Sequence, residues 1–149
     1  MTEELIQRGV ELIQASHRIL VFVGAGLSTE SGVPDFRSPG GVWDKYDPSD
    51  FYFQKIVSSE AAREKYWQMS TEFWYTMKDA LPSRGHLAIL KLEALGKLSG
   101  IVTQNIDNLH HKAGNAPEII IEVHGNAFTV SCLSCGKKYD RAAIQERLY

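Results

Sequence analysis

The sequence predicts an α/β fold: a Rossmann-like parallel sheet with helices. Three observations carry the prediction. Short apolar runs at residues 19–23, 101–103 and 119–123 are rich in Ile and Val, the pattern of strands buried on both faces of a parallel sheet. Stretches with helical spacing of apolar residues separate these runs, as crossovers between parallel strands require. Each run also ends in a polar or glycine-rich tip: Gly24-Ala25-Gly26, then Gln104 to Asp107, then His124-Gly125. Ligands of such sheets sit beyond the carboxyl ends of the strands, so the three tips are expected to meet at one crevice.

The elements follow in order. Leu5, Ile6, Val10 and Ile13 lie near helical spacing, with Glu3 and Glu4 favourably placed in the first turn, so an opening helix covers residues 3–17. After the first strand, Gly32, Pro34, Pro39, Gly40 and Gly41 exclude a helix interior, at about 1 kcal/mol per Gly and 3 per Pro; residues 32–41 form a long loop. Ser59 caps a helix running to about Met77, and Leu87, Leu90, Ala94 and Leu95 mark a second helix that Gly96 ends. A short helix follows Asp107 and reaches towards Gly114. Phe128, Val130 and Cys132 alternate with strand period, and Asp140 caps a last helix with Ile144 and Leu148 on one face.

With 149 residues, 44% of them hydrophobic and 23% charged, the chain has the composition of one soluble domain. Sixteen Lys and Arg against eighteen Asp and Glu leave a net charge of −2, so no positive field draws it to nucleic acid or membrane. Its longest strongly apolar run is far short of the roughly 20 residues of a membrane span, and the acidic N-terminus lacks a signal-peptide pattern; the expected location is cytoplasmic. Two cysteines, Cys132 and Cys135, are too few for a disulfide framework. Their C-x-x-C spacing, followed by Gly136, is half of a tetrahedral zinc knuckle, with inert thiols as the second reading.

Gly24-Ala25-Gly26 after a strand offers a tight turn whose amides can approach a pyrophosphate, although a plain strand-to-loop turn has the same three residues. A dehydrogenase fingerprint would place a third Gly at Thr29 and an uninterrupted helix after it. Instead a loop follows containing Asp35, Phe36, Arg37, Trp43 and Tyr46, suited to folding over a ligand. Asp107 is either a ligand-binding carboxylate or the cap of the short helix after it. His124 stands at a strand end, and histidine is the side chain whose ordinary chemistry suits a general base near neutral pH, although a lone strand histidine is more often structural. His110 and His111 are adjacent and point in different directions, which favours a solvated pair over a metal site; His17 and His86 receive no role.

The run from Gly24 through Leu27, Ser28, Thr29 and Pro34-Asp35-Phe36 to Arg37 resembles the sirtuin signature. Thr103-Gln104-Asn105-Ile106-Asp107 and Val123-His124-Gly125 match that family's next two motifs in the same order, and Gly41-Val42-Trp43 and the cysteine pair extend the likeness. The resemblance implies an NAD-dependent protein-lysine deacetylase that releases nicotinamide and O-acyl-ADP-ribose. Gly24, Ala25, Gly26, Thr29, Asp35, Phe36 and Arg37 would bind NAD with Gln104, Asn105, Ile106 and Asp107. His124 would be the catalytic base, Cys132 and Cys135 half of a zinc site, and an acetylated-lysine protein or peptide the partner. Two other readings share the cofactor contacts: a non-catalytic NAD or ADP-ribose binding module, and a protein ADP-ribosyltransferase.

The implied division places a partial NAD-binding catalytic domain, its Rossmann-like sheet incomplete, at residues 1–126, with a helical insertion at about 44–80, and the start of a small zinc-ribbon-type module, its first half, at 127–149. The family's later strands and second cysteine pair lie outside this sequence, so the expectation is a truncated chain, inactive as it stands, with bare apolar surface. Pro82-Ser83 replaces the family's frequent Pro-Asn. Trp67 and Ser70 stand where relatives that prefer acidic acyl groups carry Tyr and Arg, which favours acetyl-lysine over succinyl-lysine.

Overall fold

A computed structural model describes residues 2–148. Helix α1 (Glu3–Ala15) leads into strand β1 (Ile19–Val23). Two short 3-10 turns, Ala25–Leu27 and Thr29–Ser31, follow it, and neither helix nor strand forms over 32–41. The helical insertion contains α2 (Val42–Lys45), a 3-10 turn at Pro48–Phe51, α3 (Phe53–Ser58) and α4 (Glu60–Asp79). Ser59 caps α4 by accepting from the Ala62 amide at 3.3 Å. Helix α5 (Arg84–Ala94) returns the chain to β2 (Leu98–Thr103), and α6 (Leu109–Ala113) precedes β3 (Ile120–Glu122). A hairpin of β4 (Thr129–Ser131) and β5 (Lys138–Asp140) and helix α7 (Arg141–Gln145) complete the described chain. Asp140 caps α7 by accepting from the amides of Ala142 and Ala143.

The sheet has the order β1-β2-β3 and all its strands are parallel. Register aligns Val23 with Thr103 and Thr103 with Glu122, so all three strands deliver their next residues to the same edge. Adjacent strands lie about 4.8 Å apart; the three tips therefore emerge side by side. This convergence is the structural basis of the site.

The expectation of strands buried on both faces is corrected. Val23, Ile89 and Ile101 form the core on the α5 side, with Val21, Leu27, Leu98 and Ile120 against them. On the opposite face Leu20 is 65% and Phe22 66% exposed, because no described element packs there. A continuous apolar run has the same composition whether one or two layers cover it, so exposure of the second face is a tertiary property.

Two lysines join the helices to the rest. Lys97 Nζ donates to the carbonyls of Ile13, Gln14 and Ser16 at the end of α1. Lys112 Nζ does the same for Met77, Lys78 and Ala80 at the end of α4. Both place a cation where a helix leaves unpaired carbonyls. No helix among the described residues is long and apolar enough to cross a membrane.

Candidate functional site

The site begins with the tip of β1. Gly24 leaves the strand and its carbonyl accepts from the Leu27 amide at 3.1 Å, closing the first 3-10 turn. From the neighbouring strand tip, Asn105 Nδ2 donates to the same Gly24 carbonyl at 3.1 Å and to Ser28 Oγ at 3.0 Å. Ser28 in turn donates to Asp107 Oδ2 at 2.6 Å. Side chains 77 and 79 residues apart in sequence are thus locked together at the sheet edge.

Asp107 is 4% and Ser28 1% exposed, so their hydrogen bond lies where an unpaired polar group is costly. Asp107 Oδ1 also accepts from the Leu109 amide at 2.9 Å. The carboxylate therefore caps α6 and grips the glycine-rich turn at once. Each oxygen keeps a second lone pair for another donor.

Below this network lie two buried imidazoles. His86 is 0% and His110 3% exposed, with ring centroids 4.9 Å apart in an edge-on arrangement. This corrects the expectation that His110 is solvated: α6 turns His110 inward, while His111 is half-buried with Nε2 3.4 Å from Glu122. Burial lowers the pKa of both rings against the opposing pull of Asp107. His110 falls to about 4, with the neighbouring His86 lowering it further.

The loop after the turn is fixed by Asp35. Its Oδ1 accepts from the amides of Ser38 and Arg37 and its Oδ2 from the Ser38 hydroxyl. These bonds, from Ser38 first, hold its carboxyl below the usual range. Phe36 stacks on Trp43 at 5.2 Å between centroids, and Trp43, Phe51, Tyr46 and Phe73 continue the aromatic series onto α4. The loop aromatics thus face one another and the insertion rather than the sheet.

A cavity of about 680 Å³ opens between sheet edge and insertion, and Ala25, Phe36, Asn105, Ile106, Asp107 and His124 all line it. The imidazole of His124 is exposed in the turn after β3, where Gly125 adopts φ 70, a conformation that favours glycine. Thr29 and Asp35 line a separate recess of about 210 Å³, which shares Val33 and Pro34 with the main cavity. Gly24, Gly26, Arg37 and Gln104 line neither, although Gln104 ties the tips together through its amide to the Val23 carbonyl.

Cys132 and Cys135 stand apart on the β4–β5 hairpin. The Gly136 amide donates to the Cys132 carbonyl and the Cys132 amide to Lys137, which shapes a tight knuckle. Hydrogen bonds from Cys135 and Ser134 lower the Cys132 thiol pKa. Among the described residues, no group of three His, Cys, Asp or Glu is placed to hold a metal.

Sequence reasoning passed over several members of the site. Ser28 sits inside the glycine-rich motif and was assigned nothing, and its role appears only when Asp107 arrives from another strand. The opposite wall comes from the insertion, with Phe53, Ile56, Trp67, Met69, Phe73 and Met77 facing the polar edge. Trp67 and Ser70 both line the cavity. The Arg141 guanidinium lies 5.1 Å from the Trp67 ring centroid, with Nη2 3.3 Å from Ser70 Oγ.

Comparisons with known proteins agree with this geometry. A family model described as the Sir2 family matches residues 24–149. An NAD-dependent protein deacetylase 2 of Caldanaerobacter subterraneus subsp. tengcongensis is 38% identical over 99% of this chain and 58% of its own length. An NAD-dependent protein deacetylase of Thermodesulfovibrio yellowstonii is 42% identical over 97% of this chain and 55% of its own. Among solved structures, a Sir2 histidine-to-alanine variant with deacetylated p53 peptide and 3'-O-acetyl ADP ribose superposes with a TM-score of 0.87 at 34% identity, covering 96% of this chain and 56% of that one. A Sir2 bound to acetylated peptide gives 0.80 at 31% identity, covering 96% and 55%. The chain spans a little over half the length of these relatives.

Proposed function

The chain belongs to the Sir2 family, and from that premise we propose that its cavity is the NAD and acyl-lysine site of a protein-lysine deacetylase. The observation that supports this most directly is the shared cavity: Ala25, Asn105, Asp107 and His124 leave three parallel strands and line one space. NAD supplies a ribose carbon that loses nicotinamide and accepts the acyl oxygen.

In this reading the backbone of Gly24, Ala25 and Gly26, with Thr29 and Arg37, binds phosphates. Phe36 covers the reacting ribose face and keeps water away. Asp107 accepts from the nicotinamide carboxamide through a free lone pair, with Gln104, Asn105 and Ile106 orienting ribose and ring. His124 would take the proton of a ribose hydroxyl, whose oxygen bonds to the acyl carbon; the lysine amine would leave carrying a proton, and one water would be consumed so that the acyl group ends as an ester on ADP-ribose. Asp35 holds the loop by its bonds to Ser38 and Arg37.

The finer assignments rest on the same premise. Residues 1–126 form the cofactor-binding part and 127–149 the beginning of a zinc-binding module. There Cys132 and Cys135, with the Cys132 thiolate favoured by Ser134 and Cys135, supply two of four ligands. The substrate is an acetylated-lysine protein or peptide met in the cytoplasm.

The test, made on the sequence extended to the length of its relatives, is incubation with labelled NAD and an acetyl-lysine peptide, beside direct ADP-ribose binding. The expected result is acetyl transfer to ADP-ribose that falls by at least about 100-fold in His124→Tyr, with ADP-ribose affinity within about threefold of the unsubstituted protein. Unchanged turnover in that variant would sink the catalytic assignment. Binding without turnover in either protein would favour a binding module, and label on unmodified peptide an ADP-ribosyltransferase.

A further inference from the structure

Ser83 lies outside every residue assigned above, yet it touches the back of the glycine-rich turn. Its side chain caps α5, with Oγ 3.5 Å from the His86 amide, while His86 Nδ1 accepts from the Ser83 amide at 3.2 Å. The same hydroxyl is 3.1 Å from the Leu27 carbonyl, a contact spanning 56 residues. Ser83 is 7% exposed. Beside it Gly85 meets Leu27 so closely that a Cβ there would fall 2.6 Å from Leu27 Cδ1. The start of α5 is therefore seated on Leu27 by a hydrogen bond and by close packing together.

The hydroxyl has one proton and two candidate acceptors. Besides the Leu27 carbonyl, His86 Nδ1 lies 2.8 Å from Ser83 Oγ. Nδ1 has one lone pair, which the Ser83 amide and the hydroxyl would have to share; while the amide holds it, and equally once Nδ1 is protonated, the hydroxyl proton is left for the Leu27 carbonyl. Leu27 immediately precedes Ser28, whose hydroxyl reaches Asp107 and Asn105. A peg on the Leu27 carbonyl sets the plane of the Leu27–Ser28 peptide, and with it the aim of Ser28 and of the amides of the turn.

We propose that Ser83 is a positioning residue for the cofactor: its hydroxyl, donated to the Leu27 carbonyl, holds the glycine-rich turn in the shape that binds NAD, with His86 governing how that proton is shared. The functional half of this inference rests on the NAD reading above; the structural half does not. It concerns a position where this chain has Ser after Pro82.

Capping and pegging are separable by substitution. Aspartate is as good a helix cap as serine but has no proton for the Leu27 carbonyl, so Ser83→Asp keeps one role and removes the other. Amide exchange in the ligand-free protein is expected to quicken about tenfold at Leu27 and Ser28, with exchange within α5 unchanged. ADP-ribose affinity, measured by calorimetry, is expected to fall by a similar factor. Ser83→Ala serves as a second variant should the aspartate variant not fold; it is expected to loosen both turn and helix.

Turn exchange equal to that of the unsubstituted protein, in whichever of these variants folds, would overturn the peg. Faster turn exchange with unaltered ADP-ribose affinity would overturn the positioning role. If the unsubstituted protein fails to bind ADP-ribose at all, the cofactor reading falls and takes the functional half with it, while the exchange data still decide the structural half.

Discussion

At the scale of single residues, the buried histidines govern pH behaviour. His110 has its pKa lowered to about 4 by burial and by His86, and His86 shifts in the same direction by burial. Both native rings thus bind protons less readily than in the unfolded chain, where imidazole titrates near pH 6.5. Their stabilising contribution is complete above about pH 6.5 and is lost as pH falls towards 4, since over that window the unfolded state takes up protons the native state refuses. For His110 the loss is on the order of 3 kcal/mol. Denaturant unfolding at pH 7 and pH 5 should show about 2 kcal/mol of it, and His110→Gln should flatten the difference; an undiminished difference would remove His110 as its source. The motif gave Asp107 and His124 their candidate roles, and the structure places both against one cavity. The histidine pair and Ser28 escaped the sequence because their partners are non-local: Ser28 meets Asp107 across 79 residues, and His86 meets His110 through two different helices.

At the scale of elements, sequence signals were strongest where local chemistry decides. Ser59 and Asp140 cap the helices they were expected to cap, and prolines and glycines kept 32–41 free of regular structure. Less legible was what holds the far end of α4, because its cap is a side chain from another helix. Lys112 Nζ reaches the carbonyls of Met77, Lys78 and Ala80 at 3.0, 2.7 and 3.0 Å. Lys112→Met keeps much of the stem and leaves these carbonyls without their cation. Hydrogen bonds to a charged group contribute about 1.5–3 kcal/mol, and in a domain of this size each kcal/mol shifts Tm by about 2–4 °C. A fall of roughly 5 °C in thermal unfolding is therefore expected. Because α4 supplies the apolar wall of the cavity, tryptophan emission from Trp67 and Trp74 should change with it; unchanged Tm and emission would show that α4 needs no such anchor.

At the scale of the whole molecule, the arrangement is asymmetric about its sheet. One face is covered by α5, while on the other the register sets Phe22 beside Val102 and Val102 beside Ile121. Leu20, Phe22, Ile121 and Val123 are 65%, 66%, 56% and 47% exposed. Parallel sheets are covered on both faces in nearly every fold that uses them, and relatives of this chain run to nearly twice its length. Bare apolar surface was expected from the sequence, but its place was not, since strand composition does not say which face a later layer would cover. The consequence is measurable in the 149-residue chain. An apolar stripe crossing all three strands favours face-to-face association, driven by roughly 25 cal/mol for each Å² removed from water. Replacing Leu20 and Phe22 with Lys and Glu removes the most exposed side of the stripe, on the edge strand β1, without touching the α5 core, because alternate residues of a strand point to opposite faces. Sedimentation should then show a shift from associated species towards monomer, with little loss of Tm. Association that persists unchanged in the double variant would locate the contact elsewhere, and a large drop in Tm would mean that this face is already packed within the chain.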